Sequence, residues 1–386
     1  MPNLQINKFF YNLEIVQLSG FLVALIIAYL LTPLIQSRAM KLGILDKPSV
    51  RKIHSIPIPR LGGVSVYASL FLTTLIFLAA YWKYNAYFIG TFTLLGIFAG
   101  GTIIFFLGLL DDIEQLPAIL KLLIQILAGS VGWFLGIRIL NLSNPLYHAD
   151  FYFFKLSVGD QVVHFDPLIS YLLTIIWVIG ITNAVNLVDG MDGLATGICL
   201  ISSIAIWAVS MDHKINQPAG ALLAATLAGA LLGFLRWNFN PARIFLGDSG
   251  AYLVGYVLAS LAISCVSKKI AVVIITPVIF LIFALPIADT IYAIIRRIIK
   301  GKSILEPDKG HLHHRILQSG LSQKFASYLL YLISAVAGLV ATYLIGLRST
   351  YRFLILSGMV IAISLFYTCI INWKHQKLFR NIFFKT

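Results

Sequence analysis

Apolar runs long enough to cross a lipid bilayer recur from one end of the 386-residue chain to the other, at about 17–36, 62–82, 89–110, 118–137, 168–185, 193–211, 218–236, 249–266, 270–298, 326–346 and 352–371. A membrane span needs about 20 residues of helix, and in lipid a segment must satisfy its own backbone hydrogen bonds. Each run is therefore expected to be a helix, and the chain an all-α polytopic membrane protein with about eleven transmembrane helices. The composition agrees, with 59% hydrophobic and 11% charged residues, where soluble domains carry about 25% charged. No polar stretch is long enough to form a separate soluble domain, so residues 1–386 read as one integral membrane domain. The first run is too long for a signal-peptide core and no Ala-x-Ala-like site follows it, so it is expected to remain as a span. The ninth run carries Pro286 and Asp289 and is expected to be kinked or broken.

Sidedness follows from the basic residues. Alternate loops fall on the same side of the membrane, and the set made of 37–61, 111–121, 236–248, 296–325 and the C-terminal tail holds 20 of the 29 Lys and Arg residues. By the positive-inside rule that set is cytoplasmic, with the N-terminus outside and the C-terminus inside. One external connection is more than a turn: residues 151–158 and 161–166 flank Gly159-Asp160, which reads as a small β-hairpin or as a plain loop. The net charge of +14 would suggest nucleic acid in a soluble protein. In so apolar a chain it suggests lipid headgroups, a phosphorylated substrate and topology instead, and no nucleic-acid partner is expected. Cys199, Cys265 and Cys369 are far apart in apolar runs and fit no metal or redox spacing.

The acidic residues narrow the chemistry further. There are 15, and Asp111, Asp112, Asp189, Asp192 and Asp248 all fall at cytoplasmic ends of spans. Carboxylates at a membrane boundary are costly unless paired, so five on one face suggest a cation site, and oxygen ligands suit Mg²⁺ or Mn²⁺ better than zinc. Asp111-Asp112 closes the third span, and also reads as a solvated acid pair ending a helix. In NAVNLVDGMDG, Asn183, Asn186, Asp189 and Asp192 recur every third residue, while Gly190 and Gly193 let the backbone turn close to a ligand. The plainer alternative is a capped helix end.

The third element, Asn238-Phe-Asn240-Pro241-Ala-Arg243-Ile-Phe245-Leu-Gly247-Asp248-Ser249-Gly250, brings an acid, an arginine, two amides and an aromatic to the mouth of the eighth span. Asp248 also reads as an N-cap, and Phe245 as an interfacial aromatic. Lys52, His54 and Arg60 in the first cytoplasmic loop are candidate sugar or phosphate contacts, with a positive-inside anchor as the alternative. The loop PDKGHLHHR holds His311, His313, His314 and Arg315. Zinc is an alternative reading of the histidines, but no cysteine or fourth ligand accompanies them. Lys309 and Arg315 suit phosphate, which Arg can bind bidentately.

LDD after the third span, NAVNLVDGMDGLATG, FNPARIFLGDSG and PDKGHLHHRIL, in this order over about residues 20–320, resemble the polyprenyl-phosphate N-acetylhexosamine-1-phosphate transferases, the superfamily that contains phospho-N-acetylmuramoyl-pentapeptide transferase. DKPSVRKIHSIPIPRLGG and GHLHH resemble the branch that uses UDP-N-acetylglucosamine and undecaprenyl phosphate. The resemblance implies a Mg²⁺-dependent enzyme, with Mn²⁺ as a substitute, in the plasma (inner) membrane and with its active site facing the cytoplasm. Its partners would be a UDP-sugar donor and a polyprenyl phosphate acceptor, and a homodimer is compatible with it. Asp111 and Asp112 fall where the lipid phosphate is bound and activated, with Asp111 as the base. A two-step route through an aspartyl-phosphate stays open. Asn186 and Asp248 fall on Mg²⁺ positions, with Asp189 a further candidate ligand of the ion. Asp189 and Asp192 belong to the nucleotide pocket, with Gly190, Asn238 and Phe245, the last placed to stack on uracil. His311, His313, His314 and Arg315 resemble the loop that holds sugar and diphosphate.

Two alternatives remain at this level. One is the same chemistry with another UDP-N-acetyl sugar, including UDP-N-acetylmuramoyl-pentapeptide. The other is a cation-coupled transporter, which broken helices and intramembrane Asp289 would suit. The gathering of carboxylates at one face rather than the midplane, and the lack of an internal repeat, weigh against transport.

Overall fold

The computed structural model describes residues 2–46, 56–80, 91–143, 162–212, 215–266, 283, 287 and 322–344. Among them run nine α-helices: α1 Pro2–Leu42, α2 Gly62–Ala80, α3 Thr91–Glu114, α4 Ala118–Phe134, α5 Pro167–Val188, α6 Leu194–Ser210, α7 Pro218–Asn238, α8 Gly247–Val266 and α9 Gln323–Leu344. They correspond to the first eight apolar runs and the tenth. The eleventh run, and the ninth apart from 283 and 287, lie outside the described residues, as do Pro286 and Asp289. Among the described residues five helical stretches are long and apolar enough to cross a membrane: Glu14–Leu42, Phe92–Glu114, Pro167–Val188, Pro218–Asn238 and Gln323–Tyr343.

Helix ends follow local chemistry. Asp166 caps α5 by accepting from the N–H groups of Leu168 and Ile169, both at 2.9 Å, and Pro167 fills the first helical position. Pro218 opens α7 in the same way. Two short antiparallel pairings accompany the helices among the described residues: β1 Leu45–Asp46 with β2 Ile58–Pro59, and β3 Asn141–Ser143 with β4 Val162–His164. In the second, Asn141 faces His164 and Ser143 faces Val162. The expected hairpin arm 151–158 and its Gly159-Asp160 turn lie outside the described residues.

The core is centred on α8. Ala251, Leu253, Val254, Tyr256, Val257, Leu258, Ala259 and Leu261 have no accessible surface, so this helix is apolar and covered all round. It packs against α2, α3, α5 and α6. On the periphery, α1 exposes Ile15, Leu18, Leu22, Ile26, Leu30 and Leu34 at three- and four-residue intervals. Such a stripe suits acyl chains, and it points away from α7, the principal neighbour of α1. That contact is close because α7 carries Gly229 and Gly233: a Cβ at either would overlap the Phe21 or Leu25 carbonyl of α1. Membrane helices, lacking a hydrophobic force between them, associate through such small-residue faces.

Candidate active site

The carboxylates meet where the end of α3, the end of α5 and the start of α8 come together. Gly108 of α3 makes the approach feasible, since a Cβ there would run into the Asp248 carbonyl and Ser249. The segment before α2 is laced to the segment before α8. Phe245 N donates to the Pro59 carbonyl at 2.8 Å, Gly62 N to Phe245 at 3.0 Å, and Gly63 N to Leu246 at 2.8 Å. This delivers Arg60 to the carboxylates. Gly247 has φ +74°, a left-handed conformation that favours glycine, and a Cβ there would also collide with the Arg60 carbonyl.

Asp111, 2% exposed, accepts a 2.9 Å ion pair from Lys121 Nζ and a 2.8 Å hydrogen bond from Leu116 N. Asp112 turns the other way. One oxygen accepts from Asp248 N at 2.8 Å, and the other from Ser249 N at 3.0 Å and Ser249 Oγ at 2.7 Å. It therefore caps the N-terminus of α8 from a different helix, where orphan N–H groups and the dipole favour an anion. Asp248 accepts from Asn186 Nδ2 at 2.6 Å and lies 3.3 Å from Arg60 Nη2. Arg60 also reaches Asp46 at 3.4 Å and Asp112 at 3.7 Å. Asp189 closes α5, its N–H donating to the Asn186 carbonyl at 3.2 Å. Burial pushes its carboxyl up to about 8, and Asp248 and Asp112 add to the shift.

A second group of motif residues lies beside this one. Asp192 accepts from Asn240 Nδ2 at 2.8 Å and from Ala242 N at 3.0 Å, tying the turn after α5 to the loop after α7. Asn238 is buried: its amide donates to the Ile244 carbonyl at 3.0 Å and its oxygen accepts from Thr196 at 2.7 Å, so it holds that loop in shape. Gly190 is exposed and Phe245 half-buried at the rim. Asn183 does not join Asn186. It exchanges hydrogen bonds with Gln125 of α4, at 2.7 and 3.3 Å. Lys52, His54, His311, His313, His314 and Arg315 lie outside the described residues.

Sequence reading gave no role to Lys121 or Ser249. The first had a signal, as the lone cation of an apolar helix ten residues after Asp111. The second lay inside the FNPARIFLGDSG motif, next to Asp248.

Among the described residues no three His, Cys, Asp or Glu side chains converge as a ready-made metal cage. The donor set still fits Mg²⁺, which is commonly held by one or two carboxylates, water and substrate phosphates. Asp112 and Asp248 lie 3.7 and 3.3 Å from Arg60, and burial is the main cause of the raised Asp189 carboxyl, with the neighbouring Asp248 and Asp112 adding to it.

Residues 94–266 match the family model described as Glycosyl transferase family 4. A Bacillus subtilis protein named "probable undecaprenyl-phosphate N-acetylglucosaminyl 1-phosphate transferase" is 37% identical over 330 residues, 84% of this chain and 84% of that protein. The chain belongs to the polyprenyl-phosphate N-acetylhexosamine-1-phosphate transferase family. A second member, the "decaprenyl-phosphate N-acetylglucosaminephosphotransferase" of Mycobacterium leprae, is 34% identical over 89% of each chain. The "undecaprenyl-phosphate alpha-N-acetylglucosaminyl 1-phosphate transferase" of Escherichia coli K12 is 29% identical over 89% of this chain and 88% of its own. Family membership and the five long apolar helices make this a multi-pass membrane protein.

Proposed function

We propose that the chain transfers N-acetylglucosamine 1-phosphate from UDP-N-acetylglucosamine to undecaprenyl phosphate, releasing UMP at the cytoplasmic face of the plasma membrane. The observation that carries this reading is the cluster of Asp111, Asp189 and Asp248 with Lys121 and Arg60 at the ends of apolar helices. A lipid substrate and a dissolved one meet only at such a boundary. The relatives' names carry undecaprenyl phosphate and the N-acetylglucosaminyl 1-phosphate group, which support the acceptor and the group transferred.

In the reaction an oxygen of the lipid phosphate forms a bond to the sugar-bearing phosphorus. The bridging P–O bond breaks, and UMP leaves with its electron pair. Two anions must approach, so positive charge has to offset their repulsion. Lys121 and Arg60 supply part of it. Asp248, Asp189 and Asn186 are the residues that would hold Mg²⁺, which neutralises developing charge on the diphosphate when bound. Asp111 takes the last proton of the acceptor phosphate, a modest demand at neutral pH. The turn at Gly190–Gly193, Asp192 and the rim residue Phe245 receive the nucleotide.

Membranes containing the protein should release UMP from UDP-N-acetylglucosamine only when undecaprenyl phosphate is added. Release with UDP-N-acetylmuramoyl-pentapeptide and none with UDP-N-acetylglucosamine would reassign the donor, and no release with either would sink the reading. Excess EDTA should abolish turnover, with Mg²⁺ or Mn²⁺ restoring it, whereas full activity in chelator would remove the ion from the mechanism.

For sidedness, a cysteine introduced beside Lys309 should react with an impermeant thiol reagent only from the cytoplasmic side, and one beside Asp160 only from outside. The reversed labelling would invert the topology.

A further inference from the structure

Helix α9 carries none of the sequence motifs and lies beyond the residues matched by the family model. Yet three of its side chains reach both loops of the nucleotide half. The Tyr331 hydroxyl donates to the carbonyl of Gly193, the left-handed residue (φ +72°) that ends the turn after α5. The Tyr331 ring lies over Gly197 of α6, where a Cβ would overlap it. The last glycine of NAVNLVDGMDGLATG is thus the seat of a ring from α9. About two turns earlier, Gln323 Oε1 accepts from Asn240 Nδ2 at 2.7 Å, and the same amide donates to Asp192 at 2.8 Å. Between them Tyr328 packs on Phe239, with ring centroids 5.4 Å apart.

We infer that Tyr331 and Gln323 are positioning residues for nucleotide binding: α9 fixes the Asp192–Gly193 turn and the Asn240 loop relative to each other. The inference rests on the proposed function, in which those two loops receive the uridine moiety. Tyr331 is 6% exposed and bonds a backbone carbonyl. Removing its hydroxyl takes away one of the two hydrogen bonds on that carbonyl, which still accepts from Gly197 N at 2.9 Å, while the ring on Gly197 stays. Gln323 acts from the rim, through Asn240. Tyr331 and Gln323 engage Gly193 and Asn240 rather than Asp111, Asp248 or Arg60, so the bond-making step should be spared.

The experiment uses the full-length protein in detergent, with UMP release and calorimetric UMP binding measured side by side. Tyr331→Phe should raise KM for UDP-N-acetylglucosamine, and the dissociation constant of UMP, by about fivefold to tenfold, with kcat within about twofold. Gln323→Leu should shift the same two constants in the same direction, and it replaces a rim residue should the tyrosine variant fold poorly. The Mg²⁺ concentration for half-maximal activity should not move in either. Unchanged KM and UMP affinity in both folded variants would overturn the inference, as would a fall in kcat at constant KM. Failure of wild-type protein to release UMP would instead count against the proposed function.

Discussion

Asp111→Asn should lower UMP release by about a hundredfold while UDP-N-acetylglucosamine binding stays within about twofold. General bases contribute about 10²–10⁴-fold, and the lower end applies here because a phosphate monoester has its second pKa near 6 and is mostly ionised at neutral pH. The substitution is nearly isosteric, and the asparagine oxygen can still accept from Leu116 N, so the fold should persist. It also releases Lys121 from its 2.9 Å ion pair. A freed ammonium beside the lipid phosphate would strengthen ground-state binding, so KM for undecaprenyl phosphate should fall or stay level as kcat drops. Single-turnover UMP release in detergent, with calorimetry for the donor, separates these quantities. Full turnover in the variant would leave no side-chain base at 111, and equal loss of donor binding would move Asp111 to the nucleotide.

The helices were legible because span-length apolar runs have one solution in lipid, and eight of the nine described helices lie on the first eight runs, the ninth on the tenth. Their ends were less so. α3 continues to Glu114 rather than stopping near 110, because no helix breaker precedes Pro117, and Asp111 and Asp112 therefore sit on the last helical turn. Successive residues of that turn point about 100° apart, which sends Asp111 to Lys121 and Asp112 to α8. A two-residue motif read as one functional unit thus divides into two environments.

The three-residue spacing of Asn183, Asn186 and Asp189 misled in a related way. Each step of three falls about 60° short of a full turn, so over six residues the face drifts by about 120°. Asn183 and Asn186, one step and about 60° apart, meet different neighbours, Gln125 and Asp248. The bonds from Asp112 to Asp248 and Ser249 cross more than a hundred residues of sequence, and no spacing rule finds them.

Asp112→Ala should destabilise the protein far more than Asp111→Asn does. The Asp112 side chain has no accessible surface, and it engages two backbone N–H groups, the Ser249 hydroxyl and the edge of Arg60. Alanine leaves the first turn of α8 without its cap and leaves Arg60 with one carboxylate fewer. Removing one partner from a buried charged network costs on the order of 3–5 kcal/mol, against a total stability of roughly 5–15 kcal/mol. The melting temperature in detergent should fall by on the order of 5–10 °C. Asp112→Asn should fall between, since its oxygen can replace one acceptor while its NH2 faces donors. Activity should drop in both, because the backbone of Asp248 is held by this contact, and donor affinity at saturating Mg²⁺ should recover further in Asn than in Ala. Ser249→Ala, which removes one of the three hydrogen bonds, should lower the melting temperature modestly in the same direction. An Asp112→Ala protein that melts like wild type yet releases no UMP would place this carboxylate on the substrate rather than on the start of α8.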